Sequence, residues 1–140
     1  MFVSRNNKTI REDEFVLVTR TKELCGYIFC VTEKSPKRYR FTITTRLQNL
    51  AMEALEEIYR ANGEKVTEEE SGEKRLRHQK QAKTALQLLA YIALFASEQG
   101  AVTEKQYENC SRQISECLRL LAGWTGSDER RTKTAGMRET

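Results

Sequence analysis

Residues 84–96, TALQLLAYIALFA, are apolar on two sides of one helix, which limits the folds open to this 140-residue chain. At about 100° per residue, Leu86, Leu89, Ala90 and Ala93 form one stripe. Leu88, Tyr91, Ile92 and Phe95 form a second, on roughly the opposite side. A surface helix of a small monomer needs one such stripe. Two stripes put the helix wholly inside a core, or set its outer face against another subunit. Traced back one or two turns, the same outer direction carries Lys74, Arg77 and Lys80. A helix that is apolar outside at one end and basic at the other suits an assembling, polyanion-binding bundle better than an enzyme.

The length fits one domain with one core. Pro36 is the sole proline and glycines sit mostly at joints, far too few turn residues for an antiparallel all-β domain. Residues 1–18 hold no sustained period beyond EFVLV, a possible brief strand, and are expected to form a mobile arm. A first helix is expected over residues 19–33, with Leu24, Tyr27, Ile28 and Val31 on one face. Ser35-Pro36 reads as the start of a second, with Ser35 as N-cap. Its inward face is Ile43, Leu47, Leu50, Ala51, Ala54, Leu55 and Ile58, and Asn62-Gly63 ends it with a left-handed cap. An acidic connection follows, where Thr67 and Glu70 offer a capping box to a third helix that runs to Gln99 and stops at Gly100. Thr103 and Gln106 offer another box, to a fourth helix with Tyr107, Cys110, Ile114, Cys117, Leu118, Leu121 and Trp124 inward. Residues 126–140 lack core-forming residues and are expected to be a disordered tail. The expectation is an all-α, antiparallel up-down-up-down four-helix bundle over residues 19–125.

No apolar run reaches the length of a membrane span and the N-terminus has no signal-peptide core, so a cytoplasmic protein with free thiols is expected. Cys25, Cys30, Cys110 and Cys117 lack the close pairs of a zinc site, and Cys110 and Cys117 read as small core hydrophobes. His78 has no evident catalytic partner and reads as a surface residue. Glu53, Glu56 and Glu57 read as solvated partners of Arg46 and Arg60. No inward Glu-x-x-His element or phosphate-cradling glycine loop is present, so no enzyme activity, metal or cofactor is expected.

The net charge of +4 is unevenly spread. Residues 63–73 carry five acids against one lysine, whereas residues 74–99 carry five Lys/Arg against one acid. A second basic group, Lys34, Lys37, Arg38 and Arg40, is interleaved with Tyr39 and Phe41. Two readings stay open: a phosphate-attracting surface, or a solvated face balanced by the acidic connection.

The segments KSPKRYRFTITTRLQNLAMEALEEIYRAN, KQAKTALQLLAYIALFASEQGAVTEKQYE and CLRLLAGWTGSDERR resemble the four-helix-bundle family of the accessory variability determinant (Avd) of diversity-generating retroelements. Proteins encoded in intervening sequences of ribosomal RNA genes are related. The resemblance implies a ring-like homo-oligomer, a pentamer, that binds the cognate reverse transcriptase and template RNA and supports mutagenic cDNA synthesis. Lys37, Arg38, Arg40, Lys74, Arg77, Lys80 and Lys83, from the two basic groups, are the expected nucleic-acid or enzyme contacts. Leu88, Tyr91, Ile92 and Phe95 are the expected oligomer interface. The alternatives are a ribosomal intervening-sequence-type bundle with structural or unknown partners, and a small helical enzyme or metal protein.

Overall fold

Four helices alternate three- and four-residue steps along their buried sides, a mean period of 3.5 that wraps helices around one another with a left-handed twist. In a computed structural model, which describes residues 5–139 and the side chains of residues 14–133, these are α1 (Arg5–Glu33), α2 (Thr45–Asn62), α3 (Glu69–Gln99) and α4 (Glu104–Glu139). Each packs on two neighbours, α1 on α2 and α4, and α3 on α2 and α4. The chain is therefore a four-helix bundle, with sequence neighbours side by side. The buried series are Leu17, Thr21, Leu24, Ile28 and Val31 on α1, and Leu47, Ala51, Ala54, Ile58 and Ala61 on α2. On α3 they are Arg75, Gln79, Ala82, Leu86, Leu89, Ala93 and Ala96, and on α4 Cys110, Ile114, Cys117, Leu121, Trp124 and Asp128.

The bundle extends beyond residues 19–125 at both ends. In place of an arm with a short strand, α1 begins at Arg5. Leu17 lies fully buried one heptad before Leu24, and between them Thr21, equally buried, donates its hydroxyl to the Leu17 carbonyl at 2.8 Å. The polar threonine at a core position interrupts the apolar period without interrupting the helix. In place of a disordered tail from residue 126, α4 continues to Glu139, with Asp128 taking the next inward position after Trp124. Residues 1–4 and 140 of the expected arm and tail lie outside the described residues.

Three of the expected helix ends differ. Residues 37–39 form a 3-10 turn and residues 40–44 a π turn before α2, and Ser35 makes no cap, its buried hydroxyl being without a partner. Gly63 closes α2 in the right-handed region, at φ −77°, its N–H shared between the carbonyls of Tyr59 and Arg60. Thr67 and Glu70 form no capping box, and Glu68 opens α3 in extended conformation. Gly100 does end α3, at φ +80°, the left-handed conformation that costs glycine least. Thr103 and Gln106 exchange both capping-box hydrogen bonds, at 2.9 and 3.1 Å.

Candidate functional site

The inward series of α3 fixes what its outer side presents. Half a turn from Ala82, Leu86 and Ala93 lie Arg77, Lys80, Thr84, Leu88, Tyr91 and Phe95, one continuous stripe at steps of three and four. Tyr91 is 74% exposed, Leu88 42% and Phe95 44%. Ile92, expected with them, is half-buried against the core and belongs to the stripe's edge. Arg77, Lys80 and Lys83 are exposed and form no ion pair with a described residue. Lys74 is exposed too and stands 3.9 Å from the Glu70 carboxylate. Arg77, Lys80 and Leu88 border a groove of about 270 Å³ against Leu50 and Glu53 of α2.

Lys37, Arg38 and Arg40 lie at the far end of the molecule from that basic group. Tyr39 donates its hydroxyl to the Gln99 carbonyl at 2.6 Å, which seats the 3-10 turn on the last residue of α3. The Arg38 guanidinium lies over the Tyr39 ring, 4.7 Å from its centroid, and donates to its hydroxyl at 3.2 Å. From Lys80 to Gln99 the helix rises about 28 Å at 1.5 Å per residue. The exposed Leu88, Tyr91 and Phe95 fall between the two basic groups. They are separate patches flanking an apolar one.

Arg75, counted with the basic surface by its sequence neighbours, is instead buried at 6% exposure. Its Nε and Nη2 donate to Asp128 at 2.6 and 3.1 Å, and Nη2 also to Glu14 at 3.0 Å. Trp124 lies under the guanidinium at 4.8 Å and donates its indole N–H to the same Glu14 oxygen at 2.8 Å. Gln79 and Arg131 add donors to Asp128, each at 2.7 Å. Burial alone would raise the Asp128 pKa, but these hydrogen bonds and the Arg75 charge together hold it below the ordinary carboxylate value. This layer ties α1, α3 and α4 together, and the sequence pattern missed it because its members are charged residues at core steps.

Glu57 and His78 also depart from the expected solvated face. Glu57 is buried, accepts from His78 Nδ1 at 2.6 Å and pairs with Arg60 at 2.9 Å, bridging α2 to α3. No hydroxyl or thiol joins the pair as a nucleophile in the hydrogen bonds of the described residues. Among the described residues no three His, Cys, Asp or Glu are grouped to hold a metal ion. Cys25, Cys110 and Cys117 are buried free thiols, Cys30 an exposed one. Burial pushes Cys25 up to about 11 and Cys110 up to about 12. No helix among the described residues is long and apolar enough to cross a membrane.

The model of the bAvd-like family matches residues 15–127, most of the chain. The chain belongs to the bAvd-like family. No curated protein matches it. The matched span begins at Phe15, within the extension of α1 that carries Leu17, and takes in the outer stripe of α3, both basic groups and Trp124. The bAvd-like chain thus places its exposed cations and aromatics on the bundle itself.

Proposed function

We propose that this bAvd-like protein is a non-catalytic accessory protein of a diversity-generating retroelement. It self-associates through the apolar part of the α3 stripe, in a ring of five copies, and binds the cognate reverse transcriptase and template RNA through its basic groups. The observation that supports this best is the stripe: Arg77 and Lys80 in no ion pair with a described residue at one end, Leu88, Tyr91 and Phe95 exposed at the other. A helix whose exposed side chains include two aromatics and a leucine in succession leaves apolar surface that burial between copies would stabilise at roughly 25 cal/mol per Å². Repeating Arg77, Lys80 and Lys83 on each copy sums their potentials into one polyanion-attracting surface. The assignment to a retroelement rests on the family.

The test has two arms. Light scattering of the wild-type chain is expected to give a homo-oligomer at micromolar concentration, and Tyr91→Glu with Phe95→Glu a folded monomer. A wild-type monomer overturns the assembly. Arg77→Glu with Lys80→Glu is expected to weaken binding to cognate reverse transcriptase and template RNA with helicity and oligomer size kept. Each lost phosphate contact on single-stranded RNA makes the slope of log affinity against log salt shallower by about 0.7. Unchanged affinity for both partners leaves the basic stripe a solvated face.

A further inference from the structure

The turn that joins α1 to α2 holds the one π turn among the described residues, and it carries the most exposed of their large apolar side chains. Phe41 is 87% exposed. Its position follows from the backbone. The buried steps run back from Ile58 through Ala54, Ala51 and Leu47 to Thr44, and the next step of four falls on Arg40, so Phe41 lies off the inward stripe. The π turn at Arg40–Thr44 inserts one residue. The Thr45 hydroxyl donates to the Arg40 carbonyl and closes the widened turn. The π turn thus carries an aromatic ring that stands in water.

The charge along the chain on either side of the ring is of one sign. Residues 34–52 contain five Lys/Arg, namely Lys34, Lys37, Arg38, Arg40 and Arg46, and no acid. Lys37 and Arg40 form no ion pair with a described residue, and Arg38 is held against Tyr39, itself anchored to Gln99. An exposed ring set among cations on a braced turn matches the two needs of an unpaired nucleotide: a flat apolar surface for the base and positive charge for the flanking phosphates. We propose that Phe41 is a stacking platform for a nucleobase of single-stranded RNA, with Lys37, Arg38 and Arg40 holding the phosphates beside it. This deepens the RNA-binding reading above and rests on it. It gives the second basic group a task distinct from that of Arg77 and Lys80: contact with a base, indifferent to which base.

The test compares a fluorescently labelled oligouridylate of about a dozen nucleotides with a strand of equal length built of abasic units, on the full chain. Phe41→Ala is expected to weaken binding of the base-bearing strand by about 5- to 150-fold, the range for one base stacked on an aromatic ring. Affinity for the abasic strand and the salt slope should stay as in the wild type. Phe41→Trp should restore affinity, and its fluorescence should be quenched by the base-bearing strand alone, against the buried Trp124 as background. Equal affinity of Phe41→Ala and wild type for the base-bearing strand overturns the stacking role while leaving the basic groups as an RNA surface. Equal losses on both strands overturn it too. A Phe41→Ala chain that changes oligomer size with RNA affinity intact assigns the ring to a contact between copies instead. A wild-type protein that binds neither strand overturns both this inference and the RNA-binding reading.

Discussion

Replacing Asp128 by asparagine removes the negative charge at the centre of the ionic layer between α1, α3 and α4. The carboxylate accepts four hydrogen bonds, two from Arg75 and one each from Gln79 and Arg131, all between 2.6 and 3.1 Å. Asparagine keeps one acceptor oxygen and turns an amide donor toward a guanidinium whose side chain is only 8% exposed. Breaking a buried pair from one side costs about 3–5 kcal/mol. Arg75 keeps Glu14 and the Trp124 ring as partners, which places Asp128→Asn at the lower end, near about 3 kcal/mol. For a chain of this size that is a fall in Tm of about 10 °C. Removing both charges together, as Arg75→Met with Asp128→Leu, should cost less than the sum of the two single losses, because neither strands the other, while Glu14 keeps the Trp124 N–H. Urea unfolding followed by circular dichroism, at one fixed protein concentration for all variants, measures each. An Asp128→Asn midpoint equivalent to less than about 0.5 kcal/mol would refute the reasoning, as would a double variant as unstable as the sum of its parts.

Two further outcomes follow from titratable groups. The depressed Asp128 pKa adds stability that is fully present above its ordinary value of 3.8 and lost as pH falls through the lower folded value. Urea midpoints taken from about pH 5 down to about pH 2 should therefore fall more steeply for wild type than for Asp128→Asn, and parallel curves would contradict this. Of the four thiols, only the exposed Cys30 should react promptly with a disulfide reagent at neutral pH. Cys25, Cys110 and Cys117 are buried with pKa values raised first by desolvation, and should react only after unfolding. Two or more fast equivalents would place a second thiol in reach of solvent.

The helices were legible wherever apolar residues marked the core steps, as in Leu47, Ala51, Ala54 and Ile58, or Ile114, Cys117 and Leu121. So were the two signals at the third connection, Gly100 and the Thr103–Gln106 box. The failures share one cause. Thr21, Arg75, Gln79 and Asp128 occupy core steps with polar side chains, so a reading that looks for apolar periodicity ends the bundle too early at both ends. Arg75 and Gln79 meet Asp128 across helices, and Trp124 meets Glu14 110 residues away, which no local pattern reveals. The same blindness put Glu57 and His78 in solvent. At the surface the exposed stripe was readable from spacing, since it is the complement of the buried one. Phe41 was likewise off the inward spacing, whereas the π turn that carries it leaves no composition signal.

The alanines of the core give the ionic layer a consequence of its own. Ala51, Ala54 and Ala61 of α2, with Ala82, Ala85, Ala93 and Ala96 of α3, are all buried, and their methyl groups are nearly interchangeable. Helices that meet through such uniform small side chains can slide lengthwise by one heptad, about 10.5 Å, and meet much the same surface again. The ionic layer breaks that degeneracy for α3 against α1 and α4. A slip of one heptad would carry Arg75 away from Asp128, Glu14 and Trp124 together, leaving charges stranded in the interior at a cost of several kcal/mol. It works as an index mark, charged and off-centre, that favours one axial alignment of α3 against α1 and α4. The axial distance from Arg77 and Lys80 through Tyr91 to the Phe41 turn is fixed by the same mark.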